Sequence, residues 1–301
     1  MSSPDYRAQG LKDIIVTLDG AILTIVLNRA KDRNTLTENI VDETTKVFDL
    51  ADRDDRVRVV ILTAEHTAPA YCSGADISGG WKVLWRPEAE KEGEHAHRDG
   101  GGEVSLAIMR CRKITIAAIN GHAAGVGMTA FQLPFDFRFV WAGAKLTFPF
   151  VRRGIVPEAT STYLLPRLIG HSRANSLLLT GATVTPESPY IKDLYHQILP
   201  TREGVYPAAK AFAEELAANT SMVSIAYAKG LLQHPGSSIE ENHLLDSRAI
   251  KLGAMSNDGK EGVLAFKERR LPKFRDKLSE NVSPWYPWWR TIDVRHRQSK
   301  L

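Results

Sequence analysis

Cysteine is scarce in this chain of 301 residues: Cys72 and Cys111 are the only two. Two are too few for a disulfide framework or a cysteine metal cluster. Long apolar runs are missing as well, and none approaches the roughly 18 residues that a membrane-spanning helix needs. The opening MSSPDYRAQG has no apolar stretch, so no secretory signal is expected. No repeat of solenoid length occurs. No G-x-S-x-G elbow occurs either, which removes serine-hydrolase chemistry of that kind. Charge of one sign is barely in excess: 39 Lys+Arg stand against 35 Asp+Glu, a net +4. The basic residues are scattered, except in the tail, where Arg290, Arg295, Arg297 and Lys300 face only Asp293. A nucleic-acid binder needs a basic stripe, so none is expected here, whereas a mild positive field suits an anionic small molecule. The expectation is a soluble, intracellular, reduced protein with no membrane or nucleic-acid partner.

What is present suffices for a sizeable core: 43% of residues are hydrophobic and 25% charged. IIVTL and AILTIVL flank Asp19-Gly20, the signal for a hairpin with a type I′ turn. A polar loop, LNRAKDRNTL, leads into a helix starting near Thr37, with Ile40, Val41, Val47, Phe48 and Ala51 at helical spacing. Residues 57–65, 113–121 and 136–142 are short continuous apolar runs, as in strands buried on both faces. The stretch from Trp81 to Glu103, rich in Glu, His and Gly, reads as a partly helical, mobile lid. From Glu158 the pattern is helical over 158–168, 171–180, 204–219, 221–232, 238–253 and 257–270. Strands alternating with helices, followed by a helical third, predict an α/β core with a helical appendage.

Three segments carry chemistry. SGADIS follows the first buried strand and NGHAAGVG follows the second. Small residues let a ligand approach the backbone, and a helix start offers free N–H groups. Two such turns converging would form an oxyanion hole. In the third segment, RRGIVPEATSTYLLP, Pro157 is placed to be the first helical residue and Glu158 falls in the first turn.

These segments resemble the crotonase superfamily, the enoyl-CoA hydratase/isomerase family, from about Leu11 to Phe274. LNRAKDRNTL looks like its N-terminal signature, YCSGADIS and AAINGHAAGVGMT like its two oxyanion segments, and EGVLAFKERRLPKF like its C-terminal helix. The resemblance implies an α/β, crotonase-like (ClpP/crotonase) spiral of β-β-α turns. It divides the chain into an N-terminal extension (1–10), the spiral core (11–200), a helical trimerisation region (201–275) and a Trp-rich basic tail (276–301). It further implies a homotrimer or a dimer of trimers. By the same resemblance the oxyanion N–H groups are those of Ala75 and Val126. Arg29, Lys31, Arg33, Ala75, Asp76, Ile77, Phe266 and Arg269 would contact the CoA thioester, and Trp81, Trp85, Thr129 and Phe150 would shape the acyl pocket. No separate cofactor is expected, coenzyme A being part of the substrate.

Family hydratases use two glutamates, at the positions of Thr129 and Phe150 here. FPFVRRGIVPEATST instead resembles the variant of peroxisomal 3-enoyl-CoA to 2-enoyl-CoA isomerases, whose single glutamate would be Glu158. One base that spans C2 and C4 can move a proton between them. The expectation is therefore an isomerase. The alternatives are a hydratase or dehydratase of a branched or hydroxylated acyl-CoA in fungal secondary or siderophore metabolism, and a non-catalytic acyl-CoA-binding scaffold.

The remaining features take plainer readings. Glu94-His95-Ala96-His97 has two histidines that do not share a helix face and no third ligand at metal-site spacing, so no metal is expected. His122 and Cys72 read as packing residues, and Trp285, Trp288 and Trp289 as anchors of the tail. Ser299-Lys300-Leu301 reads as a peroxisomal address, which makes the peroxisomal import receptor an expected partner.

Overall fold

The computed structural model describes residues 4–81 and 96–294. The hairpin forms as β1 (Ile14–Asp19) and β2 (Ile22–Leu27), paired antiparallel along their full length. Its two-residue loop is Gly20-Ala21, one position later than the sequence signal suggests. Positive φ at Gly20 alone is the pattern of a type II′ turn, not I′. Thr37 then caps α1 (Glu38–Arg53), its hydroxyl accepting from Ile40 N at 3.3 Å. The apolar stripe from Ile40 to Ala51 faces inward.

From there each pass of the chain adds one strand to each of two sheets. β3 (Val59–Ala64), β5 (Ile114–Ile119) and β7 (Phe137–Trp141) extend a six-stranded sheet in the order β1-β2-β3-β5-β7-β10, parallel from β2 to β10 (Gln197–Leu199). Shortly after each, β4 (Ala70–Cys72), β6 (His122–Ala124) and β8 (Leu146–Thr147) build a second sheet, closed by antiparallel β9 (Thr183–Val184). Between passes run α2 (Gly100–Arg110) and the one-turn α3 (Val126–Thr129). The result is a spiral of β-β-α turns.

The main core fills one side of the larger sheet, from Leu23 and Phe48 to Phe131 and Phe148. Its other face is covered by α6 (Val205–Asn219), whose Val205, Ala209 and Ala213 meet Val59, Ile61, Ile116 and Phe139. This double burial explains the unbroken apolar strands. It also makes the first of the C-terminal helices part of the core. Before it come α4 (Ser161–Ile169) and α5 (His171–Leu178); after it come α7 (Met222–Gln233), α8 (Ile239–Met255), α9 (Asn257–Glu268) and α10 (Leu278–Asn281). Ile239, Leu244, Ile250, Val263 and Phe266 stand exposed on α8 and α9.

Both ends of the described chain are docked. Tyr6, in the segment read as an extension, is buried and donates to Asp54 Oδ2 at 3.1 Å. The tail straps α7: Ser283 N donates to Tyr227 Oη at 2.8 Å, Trp288 Nε1 donates to the His234 carbonyl at 3.1 Å, and Trp289 stacks on His234.

A further expectation needs correction. Pro157 does not open a helix; α4 begins at Ser161, and Pro157 to Thr160 form a loop in which Ala159 and Thr160 hold positive φ. Tertiary contacts described below fix that loop and override the local proline signal. The end of the stretch read as a partly helical lid is helix: Asp99 caps α2, its side chain accepting from Gly102 N, so the three glycines are its first turn. Most of the expected lid, 82–95, lies outside the described residues, as do Trp85, the Glu94-His95 pair and the Ser299-Lys300-Leu301 terminus.

Candidate active site

The two small-residue turns meet. Gly74 (φ 113°) and Gly125 (φ 54°) sit so close that a Cβ on Gly125 would lie 3.7 Å from Gly74 Cα. Only glycine takes these dihedrals without strain. Gly127 is pinned for a different reason: a Cβ there would run into the Cys72 carbonyl, so the helix could not sit on β4. The turn carrying Ala75 is held at its back. Leu36 N donates to Gly74 O and Asp76 N donates to Leu36 O, both at 2.9 Å. Among the described residues, the N–H groups of Ala75 and Val126 donate to no protein acceptor. Two fixed donors on adjoining turns are what a developing oxyanion requires.

Glu158 stands beside them. Its Oε1 accepts from Thr129 Oγ1 at 2.6 Å. On the other side lies Gly101, in the first turn of α2; a Cβ there would strike Glu158 Oε2 and sit 3.0 Å from both the Glu158 carboxyl carbon and Val126 Cγ2. The residue keeps partial access to solvent while its carboxyl is enclosed by Thr129, Gly101 and Val126. Burial is the main force on its acidity and pushes the pKa up to about 8. The Thr129 hydrogen bond opposes that rise, and Asp99 adds to it. A carboxyl titrating near neutrality can both take and return a proton.

The loop under Glu158 is tied from outside. Asp99 Oδ2 accepts from Ala159 N at 3.0 Å as well as from Gly102 N at 2.6 Å, and Ser105 Oγ meets Thr160 Oγ1 at 2.7 Å. Asp99 was absent from the candidates drawn from sequence. Its N-cap position before a glycine run was the available signal, but the link to Ala159 spans 60 residues.

The other candidates are placed as follows. Thr129 is fully buried and touches the carboxyl, and Phe150 is buried in the main core. Trp81 is partly buried and Ile77 exposed, at the far end of the Ala75 turn. Arg29 is engaged by carboxylates: it lies 2.9 Å from Asp32, 3.8 Å from Asp76 and 3.9 Å from Asp13. Lys31 and Arg33 are exposed; the Arg33 carbonyl accepts from Ser73 N at 3.1 Å, beside the Ala75 turn. Phe266 is 84% exposed on α9, and Arg269 lies just beyond that helix at positive φ, so a single chain does not bring either to Glu158. His122 packs on Trp141, its Nδ1 accepting from Lys145 N at 3.0 Å. Burial pushes the Cys72 thiol up to about 12. No cluster of three metal-ligating side chains occurs among the described residues.

Comparison with known proteins bears on family and fold. The enoyl-CoA hydratase/isomerase family model matches residues 17–277. An enoyl-CoA hydratase of Alternaria alternata is 39% identical over 259 residues, covering 86% of this chain and 84% of the relative. A mevalonyl-coenzyme A hydratase of Beauveria bassiana is 29% identical over 264 residues, covering 85% and 91%. The crystal structure of a probable enoyl-CoA hydratase/isomerase from Mycobacterium abscessus superposes with a TM-score of 0.78 at 30% identity, covering 88% of this chain and 99% of that one. The chain is thus a member of the enoyl-CoA hydratase/isomerase family and has the crotonase fold.

Proposed function

We propose that the chain moves the double bond of a 3-enoyl-CoA to C2, with Glu158 as the only proton carrier. The observation that carries this reading is the Glu158 carboxyl enclosed beside two unengaged backbone N–H groups, with Thr129 and Phe150 at the two positions where the hydratase pattern has its glutamates. Ionised Glu158 takes a proton from C2; the C2–H electrons form a C1=C2 bond, and the carbonyl π electrons move onto the thioester oxygen, giving a dienolate conjugated with C3=C4. Ala75 and Val126 N–H groups stabilise that dienolate; one such donor is worth about 2.7–4 kcal/mol of barrier. Protonated Glu158 then delivers its proton to C4. No cofactor takes part beyond the coenzyme A of the substrate.

A second reading is hydration of a 2-enoyl-CoA, including a branched or hydroxylated one. The Alternaria and Beauveria relatives, both named as hydratases, favour it. Proton NMR in D2O with 3-enoyl-CoA and 2-enoyl-CoA in parallel separates the two. Bond migration without hydroxyl formation, lost in Glu158→Gln, supports the isomerase; a 3-hydroxyacyl product from the 2-enoyl sample establishes the hydratase. Unchanged thioesters with intact CoA binding would favour a non-catalytic scaffold.

The apolar side chains exposed on α8 and α9 support assembly of a homotrimer or a dimer of trimers, which would also cover Phe266. Ser299-Lys300-Leu301 supports a peroxisomal location through the import receptor. A fluorescent fusion that stays peroxisomal after deletion of those three residues would sink that part.

A further inference from the structure

One carboxylate oxygen, Asp99 Oδ2, holds two backbone N–H groups that come from different parts of the chain. Gly102 N belongs to the first turn of α2, and Ala159 N follows the proposed base directly. An ordinary N-cap needs only the first. The same side chain is near enough to the Glu158 carboxyl to hold its pKa up, and through Ala159 N it is tied to the residue next to that carboxyl. We propose that Asp99 is the positioning residue of the acid/base: it fixes the Glu158 loop through Ala159 N–H and stands to accept a hydrogen bond from Glu158 while that carboxyl carries the proton taken from substrate. This rests on the reading of Glu158 as proton carrier.

The groups that face Glu158 come from three elements: Asp99 before α2, Thr129 at the end of α3 and Cys72 at the end of β4. Thr129 carries no charge, and the Cys72 thiol, pushed up to about 12, stays neutral through the working range. Asp99 therefore adds to the rise in pKa that burial produces, and so raises the basicity of the Glu158 carboxylate that takes the C2 proton.

The test is Asp99→Asn in the full chain. A single amide oxygen can still accept from both backbone donors, so the cap survives while the charge goes. Titration of Glu158, read without substrate by carbon NMR of δ-labelled glutamate, should move down by about one pH unit. The acid limb of the pH–rate profile should move with it, and the plateau rate should fall. Asp99→Ser, which caps but cannot reach Glu158, should give the same downward shift and covers the case in which Asn fails to fold. An unmoved or raised Glu158 titration in either folded variant overturns the proposal and leaves Asp99 a helix cap. Because that titration needs no turnover, it stands apart from the isomerase reading, which Glu158→Gln tests on its own.

Discussion

Replacing Gly101 with alanine adds one methyl group directly against the proposed proton carrier. A Cβ at that position lies 3.0 Å from the Glu158 carboxyl carbon and closer still to Oε2. Carbon contacts relax to about 3.5–4.0 Å, so the carboxyl must retreat by about 1 Å. It cannot do so freely, because Thr129 holds Oε1 at 2.6 Å and Asp99 holds the adjoining Ala159 N–H at 3.0 Å. A misplacement of that size costs on the order of 100-fold in rate. Stability moves little, since alanine gains about 1 kcal/mol of helix propensity over glycine and the added crowding costs about 1–3 kcal/mol. Gly101→Ala should therefore lose about two orders of magnitude in kcat on the thioester that the NMR experiment identifies. Its unfolding free energy should stay within about 2 kcal/mol of the parent. A folded variant that keeps a third or more of the parent rate would refute the placement of the reacting carboxyl at Glu158.

Three further outcomes follow from the same contacts. Glu158→Gln should lower kcat by 100-fold or more on the order expected for loss of an acid/base, and it should change how stability depends on pH. The folded-state pKa of Glu158 is raised from 4.5 to about 8, so its stabilising contribution is full below about 4.5 and is lost as pH climbs through about 8. The variant should match the parent in thermal melts at about pH 4 and exceed it at about pH 9, by on the order of a few kcal/mol; equal melts at both would contradict the enclosed carboxyl. Thr129→Val removes the 2.6 Å bond that lowers the Glu158 pKa, so the acid limb of the rate profile should move to higher pH. An acid limb that stays put would count against that contact. Tyr6→Phe loses the 3.1 Å bond to buried Asp54 and should cost about 1 kcal/mol in denaturant melts, with activity unchanged. No change in the midpoint would mean that the N-terminal segment is not docked.

Local chemistry made most of the fold legible. The hairpin, α1 with its Thr37 cap and the three buried strands each announce themselves through period, capping or a continuous apolar run. The C-terminal helices read correctly to within a few residues because Ser221, Ser238 and Ser256 cap α7, α8 and α9 with hydrogen bonds three residues ahead. One reading failed where a distant contact decides. Pro157 sits at a plausible helix start, yet the Asp99 bond to Ala159 holds the chain in a loop until Ser161. Within the site, Ala75, Val126 and Glu158 lie on motifs, whereas Asp99 depends on a pairing that no local pattern reveals. Thr129 was assigned to the acyl pocket by resemblance, and its hydrogen bond to the Glu158 carboxyl is a further contact that no local pattern announces.

The pairing of Thr129 with Glu158 also bears on what the neighbouring positions can hold. A glutamate at 129 would bring a second charge against an enclosed carboxyl whose neighbour oxygen already stands at 2.6 Å. A glutamate at 150 would put an unpaired charge into the apolar core that Phe150 fills. Either replacement works against the packing that now encloses Glu158, so the arrangement is fixed by the residues around the glutamate as much as by the glutamate itself.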